Sequence, residues 1–373
     1  MGKKEWRDYF MTTYNFSAGP SSLPTEVMTQ ITQELTKNQA THMSILEISH
    51  RTPQFENILD EAKASLKSLL DLPDNYKVMF LSGGGTTQFE MVPMNLATRL
   101  KKIAILDSGN FAHKPIGAAE ALNVTVDVPG TTRSIKYREL PHLPAQFDDT
   151  QYDYVHLVTN NTIEGTTYHQ EDIPNVQHLV ADMSSNILAE PYDFKKFDLI
   201  FAGAQKNLGI AGITLAIVNQ DWLDEQDLSH LAPMQKYQTA IDKDSMYNTP
   251  PVFAIYVLNL VLKWIEQSGG IAGLYEKNQR KAHKLYDYLD HSSFFDAMVT
   301  GKERSLTNVV FTSGDATRDA QIAQKASQAG FYNLAGHRSV GGFRASLYNA
   351  QPEQAVDDLI AYLKNVEMEY LND

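Results

Sequence analysis

The pattern of apolar and polar positions predicts alternating strands and helices through the first two-thirds of the chain. Short apolar runs recur there, separated by longer stretches with helical spacing, such as residues 89–100. This alternation is typical of a parallel sheet whose strands are joined by helices, so we predict an α/β fold with a large, mostly parallel sheet flanked by helices. The predicted strands are residues 78–81, 103–106, 124–128, 154–158, 178–181, 199–202 and 213–218.

The pattern changes after about residue 265. A long amphipathic stretch comes first, and short apolar runs then mix with further helical segments, which indicates a smaller α+β domain at the C-terminus. The segments are an amphipathic helix over 271–289, a strand over 308–312, a strand over 343–347 and a terminal helix from 352 to about 371.

The change in pattern suggests how the chain divides into domains. We expect a large ligand-binding domain over 26–265 and a small C-terminal domain over 266–373, which residues 11–25 join. Residues 1–10 are highly charged and aromatic, and we expect them to form an extension outside the fold. One hypothesis is that translation of the native protein starts at Met11.

Composition narrows the class of protein. A length of 373 residues can hold two domains with sizeable cores, and 43% hydrophobic with 21% charged residues is ordinary for a soluble protein. No run is long enough to span a membrane, no signal pattern is present, and there are no cysteines. We therefore expect a cytoplasmic protein without a membrane partner.

Charge and histidine spacing exclude two further kinds of site. The formal net charge of −13 argues against a nucleic-acid surface. The 11 histidines show no spacing that is typical of a metal site, so we predict that no metal is bound.

Chemically distinctive residues lie where several predicted strands end. Asp182 follows the run 178–181, and Lys206 follows the run 199–202 at a short distance. In open parallel sheets, ligands bind outside the carboxyl ends of the strands. A lysine and an acid at that edge suit pyridoxal phosphate, because the lysine forms a Schiff base and the acid keeps the ring nitrogen protonated. An isolated lysine of this kind is more often a solvated loop residue.

Three other strand ends carry groups that fit the same cofactor. Residues 83–87 are glycine-rich and open a predicted helix, where free N–H groups and the helix dipole favour a phosphate. A simple tight turn is the commoner explanation for such glycines. Phe111 follows the run 103–106, and Thr162 follows the run 154–158. Together the strand ends predict one cofactor site.

A second group of residues is cationic. His50 and Arg51 lie near the N-terminus, and His337, Arg338 and Arg344 lie in the predicted small domain. The planar guanidinium of arginine pairs with carboxylate and phosphate through two hydrogen bonds. A surface salt bridge is the alternative for any single arginine.

These motifs together resemble the phosphoserine aminotransferases, a class V group within the fold-type I pyridoxal phosphate enzymes. The resemblance runs from Tyr14 to the C-terminus. It rests on Asn15-Phe16-Ser17-Ala18-Gly19-Pro20, Ser49-His50-Arg51, Gly83-Gly84-Gly85, Gly203-Ala204-Gln205-Lys206-Asn207, Asn248-Thr249-Pro250-Pro251, Gly336-His337-Arg338 and Gly341-Gly342-Phe343-Arg344.

The resemblance implies a role for each matching position. Lys206 matches the catalytic lysine that forms the Schiff base, and Asp182 matches the partner of the ring nitrogen. The other implied residues are cofactor contacts at Gly85, Thr86, Phe111, Thr162 and Gln205, contacts to the cofactor of a partner subunit at Asn248 and Thr249, and ligands of the substrate anion at His50, Arg51, His337, Arg338 and Arg344.

Two positions depart from the commonest family pattern. Phe111 stands where many members stack a tryptophan on the cofactor ring, and a phenyl ring offers less area for stacking. Thr86 stands where some members place an arginine. How much the glycine-rich loop 83–87 contributes to binding the substrate phosphate therefore stays open.

The resemblance implies a homodimer that transfers the amino group of L-glutamate to 3-phosphohydroxypyruvate, giving 2-oxoglutarate and O-phospho-L-serine. Whether 4-phosphooxy-L-threonine is also a substrate stays open. The nearest alternative is another class V aminotransferase, such as a serine–pyruvate or alanine–glyoxylate aminotransferase, which needs no His-Arg pairs. A non-catalytic phosphate-binding protein built on residues 83–87 is a remote alternative, because that motif lacks the lysine of a P-loop.

Overall fold

The computed structural model of the chain describes residues 13–38 and 42–372. The expected extension over 1–10 and the suggested start at Met11 lie outside these ranges. The helices are α1 (Thr25–Thr36), α2 (Pro53–Leu69), α3 (Gly84–Leu96), α4 (Asn110–Ala121), α5 (Gln220–Leu223), α6 (Tyr237–Asp242), α7 (Val252–Gln267), α8 (Gly270–His291), α9 (Ala316–Gln328) and α10 (Glu353–Asn372). The strands are β1 (Tyr14–Asn15), β2 (Tyr76–Leu81), β3 (Lys102–Asp107), β4 (Thr125–Thr131), β5 (Val155–Val158), β6 (Asn160–Asn161), β7 (Thr166–Thr167), β8 (Leu179–Asp182), β9 (Leu199–Gly203), β10 (Thr214–Asn219), β11 (Asp296–Ala297), β12 (Asn308–Thr312), β13 (Phe331–Tyr332) and β14 (Phe343–Ser346).

The central sheet has seven strands in the order β2-β10-β9-β8-β5-β3-β4. Strand β10 runs antiparallel to both of its neighbours, and the pairs from β9 to β4 are parallel. Every apolar run predicted as a strand in the first two-thirds of the chain lies in this sheet, so the prediction of an α/β fold with a mostly parallel sheet is confirmed.

Helices cover both faces of the sheet. Strands β5, β8 and β9 are buried at every position, as expected for strands covered on both sides. On one face Leu157 of β5 belongs to the same apolar cluster as Leu59 of α2 and Leu258 of α7. On the other face Val180 of β8 clusters with Phe89 of α3. The central strands therefore cannot shift without disturbing two cores at once.

A smaller sheet, β11-β12-β14, is antiparallel throughout. Its Phe311 packs in a third apolar cluster with Leu285 of α8, Ile322 of α9 and Leu359 of α10. Strand β1 pairs in parallel with β13, which brings Tyr14 opposite Phe331 within this cluster. The elements after residue 265 have the predicted types, whereas the domain boundaries stay predictions.

Helix α3 begins earlier than its apolar pattern indicated. The pattern predicted residues 89–100, whereas the helix spans Gly84–Leu96. Gly83, with φ of 105°, and Gly84, with φ of 69°, let the chain turn directly from β2 into the helix. The glycines thus form the start of the helix, and its N-terminus lies at the edge where the strands end. No helix within residues 13–38 and 42–372 is long and apolar enough to cross a membrane.

Candidate active site

The carboxyl ends of β2, β3, β5, β8 and β9 meet at one edge of the central sheet. Thr214 of β10 lies opposite both Leu81, the last residue of β2, and Gly203, the last residue of β9, so these two ends flank the start of β10. A cavity of about 330 Å³ opens at this edge, within the usual size range of ligand pockets. The predicted site residues that line it are Gly85, Thr86, Phe111, Thr162, Asp182, Gln205, Lys206, His337 and Arg344.

The loop after β9 holds the backbone of Lys206 in place. The N–H of Ser21 donates to the Gln205 carbonyl at 2.9 Å, and the Ser21 hydroxyl donates to the Lys206 carbonyl. The Lys206 Nζ lies 5.7 Å from the centre of the Phe111 ring. Because the backbone is anchored, the amine reaches a defined region of the cavity beside an aromatic face.

Asp182 is the last residue of β8 and is 6% exposed. Its Oδ1 accepts a hydrogen bond from the Ser184 N–H at 2.9 Å. Burial raises the pKa of Asp182, and the charge of Lys206 opposes this rise. A buried carboxylate with so little solvation gains from a nearby protonated nitrogen, which is the partner that a pyridinium ring offers.

The glycine-rich start of α3 packs closely on the ends of β8 and β9. A Cβ built on Gly85 would lie 3.7 Å from the Phe201 ring and 3.9 Å from the Ser184 Oγ, and one built on Gly84 would meet no atom within 4 Å. The Ser184 Oγ in turn accepts from the Gly203 N–H at 3.1 Å. The first N–H groups of a helix have no partner within the helix, so this end of α3 offers donors and a positive dipole to an anion.

Arg344 enters the cavity from β14 of the smaller sheet. Its Nη1 donates to the Thr162 carbonyl at 3.4 Å, while its buried Nε has no partner. Burial lowers the pKa of the Arg344 guanidinium, opposed by Tyr348 and Glu164. A guanidinium with an unused donor in a cavity suits a carboxylate ligand.

His337 lies in a turn that also faces the cavity. The Gly341 N–H donates to the His337 carbonyl at 2.8 Å, which closes the turn. Burial lowers the pKa of the His337 imidazole, and the charges of Arg344, Arg338 and Lys114 lower it further. A lowered pKa favours the neutral imidazole, which can both donate and accept a hydrogen bond.

Five residues with predicted roles do not line this cavity. Arg51, Arg338, Asn248 and Thr249 are exposed, and His50 is partly buried. Asn248 lies instead on the wall of a neighbouring cavity, together with Pro250 and Pro251. The roles assigned to the individual residues, inside and outside the cavity, stay predictions.

Sequence reasoning missed several residues that shape the site. Ser184 links the ends of β8 and β9, and its position two residues after Asp182 is a spacing at which an aspartate often accepts from the backbone. Tyr348 donates from its hydroxyl to the Ala18 carbonyl at 2.8 Å. Glu164 is a buried acid, 4% exposed, that accepts from the Asn110 side chain at 2.7 Å. No signal within the sequence marks Tyr348, Glu164 or Asn110.

The cavity fits pyridoxal phosphate as a candidate cofactor. It combines an amine at Lys206, an under-solvated buried acid at Asp182, an aromatic face at Phe111 and the open N-terminus of α3. Within the described ranges, no group of three or more His, Asp or Glu residues could hold a metal ion.

Comparison with known proteins gives one consistent family. The model of the aminotransferase class-V family matches residues 13–359. A phosphoserine aminotransferase of Leuconostoc mesenteroides is 56% identical over 361 residues, which is 96% of this chain and 100% of that protein. The solved phosphoserine aminotransferase of Bacillus circulans subsp. alkalophilus is 38% identical, with a TM-score of 0.90 over 97% of this chain and 100% of that one.

A third similar structure is the pyridoxal-phosphate-bound phosphoserine aminotransferase of Trichomonas vaginalis. It is 34% identical, with a TM-score of 0.88 over 94% of this chain and 99% of that one. Sequence, fold and the arrangement of the strand ends agree, and the chain belongs to the class-V aminotransferase family.

Proposed function

We propose that this protein is a pyridoxal-phosphate-dependent aminotransferase that converts L-glutamate and 3-phosphohydroxypyruvate into 2-oxoglutarate and O-phospho-L-serine. The observation that carries the proposal is that one cavity holds both kinds of group the reaction needs. Asp182 ends β8 and Lys206 lies just after β9, while His337 and Arg344 of the C-terminal part of the chain line the same cavity. The identity with phosphoserine aminotransferases over nearly the whole chain supports the choice of substrates. The protein acts in serine biosynthesis in the cytoplasm.

Four residues would hold the cofactor and carry the proton transfers. When bound, pyridoxal phosphate supplies an aldehyde that reacts with amines and a ring that takes up the electron pair released at the substrate Cα. The Lys206 amine would hold the aldehyde and, when free, would move the proton at the substrate Cα. Asp182 would keep a proton on the ring nitrogen. Gly85 and Thr86 would bind the phosphate at the N-terminus of α3.

Arg344 and His337 would bind and orient the substrate. The unused donors of Arg344 hold the α-carboxylate, because two parallel hydrogen bonds fix a carboxylate in one plane. His337, with Arg338, His50 and Arg51, binds the anion at the far end of the substrate. That anion is a carboxylate in glutamate and a phosphate in the keto acid, so one pocket serves both halves of the reaction.

We further propose that two chains form a homodimer with shared sites. The support is that Asn248 and Thr249 are exposed and lie away from the Lys206 cavity of their own chain. Pro250 and Pro251 keep this loop extended, so it can reach a neighbouring chain. A two-fold dimer then contains two equivalent composite sites.

A substrate comparison tests the activity. Purified protein loaded with pyridoxal phosphate is assayed with L-glutamate and, in turn, phosphohydroxypyruvate, glyoxylate and pyruvate. We expect the value of kcat/KM to be highest for phosphohydroxypyruvate. A preference for glyoxylate or pyruvate would reassign the protein to another class V activity, and a protein that binds phosphate without turnover would have no catalytic role.

Subunit exchange tests the shared site. One chain carries Lys206→Ala, and the other carries Asn248→Ala with Thr249→Ala. In a shared-site heterodimer, one site holds both lesions and the other holds neither, so mixing two inactive proteins restores activity. A mixture that stays inactive, although mass spectrometry shows that the subunits have exchanged, would rule out the shared site.

A further inference from the structure

A chain of hydrogen bonds runs from the buried carboxylate of Glu164 to the imidazole of His337. Glu164 Oε1 accepts from the Asn110 backbone N–H at 2.9 Å and from the Asn110 side-chain Nδ2 at 2.7 Å. The same Nδ2 donates to the Ser339 Oγ at 3.4 Å. The Ser339 Oγ lies 2.7 Å from the His337 Nδ1. The chain thus joins the loops after β3, β6 and β13, which are distant in sequence.

The direction of each link follows from which groups can donate and which can accept. The Asn110 amide must point its nitrogen at Glu164, because an ionised carboxylate can only accept hydrogen bonds. The two hydrogens of that amide then go to Glu164 and Ser339. Ser339 receives one hydrogen bond from Asn110 at its oxygen, which leaves its own hydrogen for His337.

The acceptor in the last link is the His337 Nδ1. The Ser339 backbone N–H also points at this atom, at 3.3 Å, and a backbone N–H can only donate. A neutral imidazole carries one hydrogen, on one of its two nitrogens. With Nδ1 accepting from Ser339, that hydrogen lies on Nε2. The lowered pKa of His337 favours the neutral ring to which this tautomer belongs.

We propose that Glu164, Asn110 and Ser339 are positioning residues that hold His337 as the Nε2–H tautomer, so that its Nε2–H donates to the distal anion of the substrate. The opposite tautomer would direct the lone pair of Nε2 towards the anion and repel it. The identity of that anion, a phosphate or a γ-carboxylate, rests on the proposed function. The tautomer itself follows from the hydrogen bonds of a neutral ring and does not depend on the identity of the anion.

The buried end of the hydrogen-bond chain is the side chain of Glu164, whose Oε1 supplies the acceptor that orients Asn110. Glu164 is 4% exposed, and its Oε2 has no partner. Burial raises the pKa of Glu164, while the two bonds from Asn110 and the charge of Arg344 oppose the rise. Glu164 therefore interacts electrostatically with Arg344 and is linked to His337 through Asn110 and Ser339.

Nitrogen-15 NMR of the full-length holoenzyme with labelled histidine tests the tautomer directly. The signals of His337 are assigned by their loss in His337→Gln. In the wild type at pH 8 we expect the coupling pattern of an Nε2–H imidazole. In Ser339→Ala and Asn110→Ala we expect the share of the Nδ1–H tautomer to rise several-fold.

Conservative variants separate positioning from general structure. Ser339→Thr keeps the hydroxyl, and Glu164→Gln keeps the acceptor oxygen, so both should retain the wild-type tautomer, whereas Glu164→Ala should lose it. If Glu164→Ala does not fold, the tautomer measured in Asn110→Ala decides the question. Asn110 is only partly buried, so its replacement should disturb folding less. The matched control is Asn365→Ala on α10, a partly buried position where the amide donates to the Ala361 carbonyl of its own helix.

Kinetics provide the second measurement. Ser339→Ala should raise the KM for phosphohydroxypyruvate about three- to tenfold, the scale of one neutral hydrogen bond, with little change in kcat. An Nδ1–H ring in the wild type, or an unchanged tautomer in both Ser339→Ala and Asn110→Ala, would overturn the proposal. A holoenzyme that does not use phosphohydroxypyruvate would instead overturn the proposed function, and the NMR result would still decide the tautomer.

Discussion

The two sides of the active-site cavity are built in different ways. The side proposed to bind the cofactor consists of the strand ends of the central sheet, and its Asp182 is 6% exposed at the end of a strand that is buried at every position. The side proposed to bind the substrate includes the turn 336–341, where Arg338 and Ser339 are exposed. The first side is fixed by two hydrophobic cores, and the second by a few hydrogen bonds.

This difference separates the residues proposed to transfer protons from the residues proposed to recognise the substrate. Groups that move protons must keep their distances throughout the reaction, and the sheet supplies that rigidity. Groups that accept either a carboxylate or a phosphate need some adjustment, which a turn allows. In the turn, the Gly336 N–H donates to the Gly342 carbonyl at 2.8 Å, and a Cβ on Gly336 would lie 2.0 Å from the Gly341 carbonyl oxygen. Substitutions on the first side should therefore lower kcat, and those on the second should raise KM.

The largest effect is expected for Lys206→Ala. The variant should fold, because Lys206 is held through its backbone, but turnover should fall by at least about 10⁴-fold, the upper end for the loss of a proton-transfer group. The visible absorption of the loaded protein should disappear. Borohydride reduction of the wild type followed by peptide mapping should label Lys206, and label on another lysine would refute the assignment.

Asp182→Asn should have the next largest effect. The variant keeps the shape of the side chain but removes the charge, and a neighbouring opposite charge is worth about 1–3 pKa units at the ring nitrogen. Turnover should fall about tenfold to 10³-fold while the cofactor stays bound. The absorption spectrum measured against pH reports the ring nitrogen. Turnover like that of the wild type would contradict the role of Asp182.

Arg338→Ala tests the recognition side of the cavity. A charge-assisted hydrogen bond is worth about 1.5–3 kcal/mol, so kcat/KM for phosphohydroxypyruvate should fall about 10- to 150-fold, mainly through KM. Arg280→Ala, at another exposed arginine whose partner is Glu353, is the matched control and should change little. Equal losses for phosphorylated and unphosphorylated keto acids would show that Arg338 does not recognise the phosphate.

The last effect concerns the stability of the sheet and leaves catalysis at neutral pH unchanged. His156 of β5 stacks on Phe201 with ring centres 6.1 Å apart, and burial lowers the pKa of His156 from 6.5 to about 4. The unfolded chain therefore takes up this proton first as the pH falls. Between pH 6.5 and 4, His156 should lower the free energy of unfolding by up to about 1.4 kcal/mol per pH unit.

Urea unfolding at several pH values measures this contribution. His156→Gln should show a shallower loss of stability below pH 6.5 than the wild type. His283→Gln, at an exposed position of α8, should retain the wild-type dependence. Equal pH dependence in His156→Gln and the wild type would show that His156 is not held neutral in the folded state.

The sequence predicts the rigid side of the site better than the adaptable side. The strands before Asp182 and Lys206 are apolar runs without interruption, because both of their faces are buried. Their order along the chain, together with the rule that ligands bind at carboxyl strand ends, was sufficient to bring Asp182, Lys206 and Phe111 together. The start of α3 was less clear, because its glycines have the composition of a loop.

The hydrogen-bond chain to His337 could not be predicted in this way. Asn110 is 54 positions from Glu164 and 229 positions from Ser339. Contacts between residues so far apart leave no repeating pattern in the local sequence, and each of these residue types is common in loops. The β1–β13 pair was equally hidden, because two-residue strands are too short to produce an alternating pattern.

That pairing has a consequence for how the protein is made on the ribosome. Strand β1 can pair only after β13 has been synthesised, and the Ala18 carbonyl can accept its hydrogen bond only after Tyr348 has been synthesised. The beginning of the chain can therefore take its final place only when synthesis is nearly complete. At roughly 5–20 residues per second, this delay is on the order of tens of seconds. Ser21, which anchors the Lys206 loop, lies in the same segment. The strands of the central sheet are all made before residue 220, whereas the segment that anchors the Lys206 loop takes its final place only after nearly the whole chain has emerged.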